Sequence, residues 1–228
     1  MSSCYLLSAS NPTTSLEVIY HDFQSSHADF YRGNDPGRGM AFYSMAATTG
    51  MVESSLGSNG KPVCKPSGAI GPPGGVDSCA GMASWFLDDA SVNHRIEGTV
   101  TLRWDAASNR AKFESAAYYP LDPTPPTDVT TSPVAGPNGL GWQDVAAYTG
   151  CDAASPHNYF FTSETHIFFL YSGGEQFDFQ GDDDVWVFID DDLILDLGGV
   201  HPQVGICHRK PQPFLPRLRA LSAEVRAR

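Results

Sequence analysis

After Trp85 and Phe86, apolar and polar residues begin to alternate along the chain. Thr99-Val100-Thr101-Leu102-Arg103-Trp104 sets Val100, Leu102 and Trp104 on one side of an extended backbone, and the alternation resumes over residues 112–119 after the turn Ala106-Ala107-Ser108-Asn109. A period of two residues marks a half-buried strand, so these segments predict a hairpin. The signal is strongest beyond Asn158: residues 159–162 and 166–171, the turn Ser172-Gly173-Gly174, then Gln176-Phe177-Asp178-Phe179-Gln180. Gly181-Asp182-Asp183-Asp184 follows, then Val185-Trp186-Val187-Phe188-Ile189, a turn at Asp190, Asp191 and Asp192, and Leu193-Ile194-Leu195-Asp196-Leu197 before Gly198-Gly199. Together they predict an antiparallel meander. No stretch of helical period of any length precedes residue 214, and the fold class expected is all-β, an antiparallel β-sandwich.

Two long loops interrupt the pattern. Residues 61–82 are rich in Gly and Pro, and residues 120–141 hold Pro120, Pro123, Pro125, Pro126, Pro133 and Pro137, which excludes a central strand or helix there. Residues 1–60 are turn-rich, with one aromatic cluster of Tyr20, His21, Asp22, Phe23, His27, Asp29, Phe30 and Tyr31, read as one short strand or helical turn packed on the body. The 228 residues suffice for one large domain or two small ones, and 22 Gly with 17 Pro argue against a helical bundle. No apolar run approaches the ~20 residues of a membrane span.

Charge is distributed unevenly. Six of the 14 Lys and Arg lie in the last 20 residues, so residues 1–208 hold eight basic against 25 acidic side chains, a net charge of −17. Such a surface repels phosphate backbones and attracts multivalent cations, which makes nucleic acid an unsuitable partner. The five cysteines have no spacing that suits zinc. Cys64 and Cys79 bracket the Gly/Pro-rich stretch, and a disulfide closing it is expected in an oxidising compartment. Residues 1–10 lack the features of a secretory leader, so the sequence by itself leaves a cytosolic protein or one whose leader is absent from this sequence.

Chemistry concentrates between Glu175 and Asp196, where nine carboxylates occur with no Lys or Arg before Arg209. Oxygen ligands at this density suit Ca²⁺, which accepts six to eight oxygens in flexible geometry. Asp190, Asp191 and Asp192 read as an ordinary turn. Asp182, Asp183 and Asp184, wedged between aromatic strands, would repel one another, and a cation removes that cost. They are the candidate metal ligands, with Trp186 and Asp196 as candidate ligand-binding neighbours. No EF-hand loop, nucleophile elbow, phosphate loop or zinc-protease motif is present. His157, His166 and His201 read as hydrogen-bonded structural residues, and the four tryptophans as core.

A specific resemblance enters with these residues. Phe177-x-Phe179-x-Gly181-Asp182-Asp183-Asp184-Val185-Trp186-Val187-Phe188-Ile189, followed by Leu195-Asp196-Leu197-Gly198-Gly199-Val200-His201, resembles the signature of fibro-slime domains, a branch of the PA14-like β-sandwich superfamily. His21-Asp22-Phe23, His27-x-Asp29-Phe30, Gly60-Lys61-Pro62-Val63, Trp85-Phe86-x-Asp88, Tyr118-Tyr119-Pro120-Leu121 and His157-Asn158-Tyr159-Phe160-Phe161-Thr162 agree with it in order. The resemblance implies an extension over residues 1–17, a fibro-slime domain over 18–201, and a basic Pro/Arg-rich tail over 202–228 that departs from the family. It also implies a secreted or cell-surface protein of matrix or adhesion. Adhesins of the wider superfamily bind glycans through Ca²⁺ on an adjacent Asp pair, which alignment puts at Asp182 and Asp183.

The departure after His201 implies a sandwich left incomplete at its C-terminus, with an exposed sheet edge. Leu218, Leu221 and Val225 stand at helical spacing, which suggests a short helix or a frameshifted end. The function expected is non-enzymatic, Ca²⁺-dependent binding of glycans or glycoproteins. The alternatives are a matrix protein with purely structural Ca²⁺ and a metal-dependent glycan-active enzyme, the last disfavoured because no acid and base carboxylate pair stands out.

Overall fold

The computed structural model describes residues 12–24, 26–30, 47–68, 78–115, 118–132, 157–168, 176–181, 184–199, 204–209 and 217–223. The elements in chain order are β1 (Thr13–Phe23), α1 (Cys79–Ala83), β2 (Asn93–Asp105), β3 (Arg110–Lys112), β4 (Val129–Thr131), β5 (Phe161–Phe168), β6 (Gln176–Gly181), β7 (Val185–Ile189), β8 (Asp192–Leu197), β9 (Val204–Arg209) and β10 (Arg217–Ala223). An eight-stranded antiparallel sheet runs β3-β2-β1-β5-β10-β7-β8, with β4 paired to the same edge of the sheet at β2. A second, two-stranded sheet is formed by β6 and β9. The fold is all-β and sandwich-like.

β7 explains the layering. Its five residues are all buried, and alternation sends them to opposite faces. Val185, Val187 and Ile189 pack with Leu195, Leu197, Ile167 and Phe179 of β6, so the small sheet covers this side. Trp186 and Phe188 face the other way, against Met51, Val52, Met82, Trp85 and Phe86. A lid built from residues 47–68 and the α1 region therefore covers the second face. Across the sheet, Val18, Tyr20, Ile96, Val100, Val129 and Phe161 pack with Tyr118 and Leu121. A strand covered on both faces reads as a continuous apolar run, and Val185-Trp186-Val187-Phe188-Ile189 is one.

Turn chemistry accounts for the hairpins. Asp190 and Asp191 adopt φ of 53° and 68°, the left-handed pair of a tight turn between β7 and β8, and Asn109 does the same at φ 55° between β2 and β3. The lid is stapled by the Cys64–Cys79 disulfide, with Cα atoms 5.3 Å apart, as the cysteine spacing suggests. α1 starts at the second of these cysteines, where the Ser78 hydroxyl accepts from the Gly81 N–H at 3.1 Å.

Three expectations are corrected. The meander is interrupted, because β10 lies between β5 and β7 while β6 pairs with β9 instead. Residues 217–223 are a strand rather than a helix, so the segment beyond His201 supplies a central strand and the large sheet is not left open there. Of the aromatic cluster, Tyr20, His21, Asp22 and Phe23 end an eleven-residue strand that pairs on both sides, with β2 and β5, longer than the short strand or helical turn expected, while His27, Asp29 and Phe30 follow it outside any strand.

The outer edge of β8 is occupied by the lid. Thr48 and Gly198 exchange backbone hydrogen bonds of 2.6 and 2.9 Å, Leu193 N donates to Ser54 O at 2.8 Å, and Leu56 N donates to Asp191 O at 2.9 Å. Gly198 permits this approach: a Cβ there would stand 2.8 Å from Thr48 O and would collide with Met51 Sδ.

Candidate functional site

The acidic turn between β6 and β7 is described only at its last residue; Asp182 and Asp183 lie outside the described residues. Asp184 is 6% exposed and adopts φ 34°, uncommon for a residue with a side chain. Its Oδ1 accepts the Gly199 N–H, which ties the entry to β7 to the exit from β8. Asp196, on β8 opposite Trp186, is shared between two donors. Its Oδ1 accepts the Trp186 Nε1–H at 2.9 Å and its Oδ2 the Gly50 N–H at 2.6 Å. Trp186 is 0% exposed and packs 6.2 Å from Trp85, so its ring lies within the core and not on a surface. Among the described residues no three His, Cys, Asp or Glu side chains converge as a metal site.

The short motifs dispersed along the chain meet at one end of the sheet. Asp22 Oδ1 accepts from Asn158 Nδ2 at 2.7 Å, and both residues are fully buried. Asn158 N donates to Asp122 Oδ1 at 2.8 Å, while His157 Nδ1 binds Asp122 Oδ2 at 2.5 Å and stacks on Tyr119, ring centroids 3.7 Å apart. Around this polar chain pack Phe23, Phe30, Tyr119, Tyr159 and Phe160. Asp29 accepts the Trp85 Nε1–H at 3.1 Å, and Phe30 stacks on the same indole at 5.9 Å. Tyr20 and Tyr118 join hydroxyls at 2.9 Å, and burial pushes the Tyr118 hydroxyl up to about 12. Buried polar groups must be paired, and here residues far apart in sequence pair one another. His157 and His166 are hydrogen-bonded, as read from the sequence; His201 lies outside the described residues.

A second charged group sits where the lid meets β1 and β5. Glu164 has a fully buried side chain whose two oxygens bind Lys61 Nζ from the lid and His166 Nε2 from its own strand. Burial pushes its carboxyl up, but those two hydrogen bonds together with the charges of Lys61 and His166 outweigh burial and hold it below the ordinary value. His21, on β1, is 1% exposed; its Nε2–H donates to Asp88 Oδ1 at 2.9 Å, and its Nδ1 has no partner among the described residues. Burial lowers its pKa, with Lys61 adding to the effect and Asp88 and Glu164 opposing it. Arg95 lies beside them, 3.6 Å from Asp88 and 2.5 Å from Glu97. Sequence reasoning did not single out Glu164; the available signal was an acid in the middle of a strand, between Thr162 and His166.

Comparison with known proteins adds relatives but no activity. The chain is 33% identical over 162 residues to protein psiD of Dictyostelium discoideum, covering 70% of this chain and 29% of that protein. It is 32% identical to protein psiR over 192 residues, 81% of this chain and 16% of psiR, and 31% identical to protein psiC over 188 residues, 81% of this chain and 32% of psiC. The chain thus spans about a third or less of the length of these relatives, all three from the same amoeba. No protein-family model matches the chain, and no solved structure matches it.

Proposed function

We propose that the chain is a non-enzymatic recognition module of the fibro-slime type, within the PA14-like superfamily, acting outside the cell or at its surface. In this reading it binds glycans or glycoproteins in adhesion, with Ca²⁺ held by the acidic turn of Asp182, Asp183 and Asp184. The observation that carries an extracellular setting is the Cys64–Cys79 disulfide, because cytosolic reductants keep such thiols apart and oxidising compartments join them. The pairing of Asp22 with Asn158 and of Trp85 with Asp29, residues of the motifs that carry the resemblance, supports the family reading.

The metal part of the reading rests on the carboxylates of Asp182 and Asp183. Asp184 is engaged by Gly199 and shapes the turn, and Asp196 is engaged by Trp186 and Gly50. Hard oxygen donors in series between two strands are the chemistry that Ca²⁺ takes. When bound, the ion would neutralise the turn and offer open positions to paired sugar hydroxyls.

Thermal unfolding in EGTA and in millimolar Ca²⁺, with and without the double substitution Asp182→Asn and Asp183→Asn, tests this. Free Ca²⁺ at a hundred times its Kd stabilises the native state by about 2.7 kcal/mol, or about 5–10 °C in a chain of this size. That rise should disappear in the double variant, and a glycan array in Ca²⁺ should then retain the wild type alone. Equal unfolding in both conditions overturns the calcium reading. A Ca²⁺ response with no glycan retained points to the matrix alternative, in which the ion only stiffens the fold.

A further inference from the structure

The pairing register draws one row of residues across the sheet: Asp196, Trp186, Leu221, Glu164, Ile19 and Glu97 stand opposite one another on β8, β7, β10, β5, β1 and β2. Directly paired residues share a face. At the Trp186 end this face is closed by the lid. At the other end it opens into a cavity of about 450 Å³, lined by Glu164, Ile19 and Glu97 of the row, by Glu17 and Thr99 of the next, and by the β4 strand. Lys61, at the rim of the lid, holds Glu164 where cover ends and cavity begins.

The lining selects a class of ligand by its chemistry. Three carboxylates against Arg95 and His166 disfavour an anion. The absence of three converging metal-binding side chains among the described residues disfavours a bare cation. Two of the carboxylates are already paired in place, Glu97 with Arg95 and Glu164 with Lys61, which leaves little net charge to attract a basic side chain. No Phe, Tyr or Trp lines the space, so a flat aromatic ligand has nothing to stack on. Fixed carboxylates, a guanidinium and threonine hydroxyls beside Val18 and Ile19 suit a neutral molecule that presents many hydroxyls and a carbon face, to which the acids accept and the Arg donates.

We propose that this cavity is a second, metal-independent site for an uncharged saccharide, with Glu17, Glu97 and Arg95 as its polar contacts above the buried Glu164. It rests on the glycan-binding reading above but not on the acidic turn. The test is binding of the full chain to an array of neutral and charged mono- and oligosaccharides in EGTA, followed by titration of the best neutral hit. Variants are Glu17→Gln, which alters one exposed contact, Thr99→Trp, which fills the space, and Asp182→Asn with Asp183→Asn.

Retention of a neutral sugar in EGTA, weakened about tenfold or more by Glu17→Gln and by Thr99→Trp but not by the double Asp variant, is the result expected. If Thr99→Trp does not fold, Glu17→Gln decides. Binding that requires Ca²⁺, fails in the double Asp variant and ignores both cavity variants overturns this site while leaving the acidic-turn reading intact. No neutral sugar retained in EGTA, or preference for sulfated or sialylated sugars, also overturns it.

Discussion

Single residues hold this molecule together at points where two distant segments share one polar group. Asp196 is the clearest, with one oxygen on the indole of Trp186 and the other on Gly50 of the lid. Asp196→Ala strands both donors in or near the core and should cost about 3 kcal/mol in chemical unfolding followed by tryptophan fluorescence. His21 carries a pH dependence. Its folded pKa lies below the ordinary value, so as pH falls under about 6.5 the unfolded chain takes up a proton that the folded chain refuses. Stability is fully present above that pH and declines below it until the folded-state pKa is passed. Glu164, also held low, adds a further loss only below its own ordinary value of 4.5, as pH falls toward its folded pKa. Unfolding midpoints measured from pH 7 to pH 5 should therefore fall in the wild type and fall less in His21→Gln.

At the scale of elements, the lid depends on its staple. The disulfide spans 15 residues, a loop whose closure removes about 3 kcal/mol of unfolded-state entropy. Cys64→Ser with Cys79→Ser should lower stability by about that amount, and equilibrium denaturation of the oxidised and substituted chains measures it. The elements also show how far the chain could be read. β2, β7 and β8 follow from alternation and from turns at Asn109, Asp190 and Asp191, because those signals lie within a few residues of one another, whereas the strand expected over residues 112–119 is replaced by the short β3 at Arg110–Lys112, with 113–115, 118 and 119 outside any strand. β1 was harder to read. Tyr20, His21, Asp22 and Phe23 are all buried, so the alternation expected of a strand facing water on one side is missing. The sequence of β10 reads as a basic tail with helical spacing, because Arg217 and Arg219 stand among its leucines, and only its neighbours β5 and β7 make it a strand.

For the whole molecule, the chain's last described strand pairs on both sides, with β5 and β7. Removing residues 217–228 would separate β5 from β7 and leave an unpaired edge on each. The truncated chain should lose its cooperative thermal transition and appear as aggregate in size-exclusion chromatography; a monomer that unfolds at the same temperature as the full chain would show β10 to be dispensable. The acidic body and the basic end are thus joined in one sheet, the arginine-bearing strand lying inside a structure of net charge −12.

The sequence by itself determined the all-β class, the turns at Asn109 and at Asp190 and Asp191, and the disulfide. Each depends on local chemistry: period-two alternation, left-handed Asp and Asn, two cysteines flanking a Gly/Pro loop. Tertiary structure alone decided which strands are neighbours, how the lid closes the β8 edge, and that Glu164, Lys61 and His21 form one charged group beside an open cavity. The physical reason is that a strand's edges pair with whatever the rest of the chain brings to them. Lys61 and Glu164 lie 103 residues apart, and nothing in the residues between them encodes their meeting.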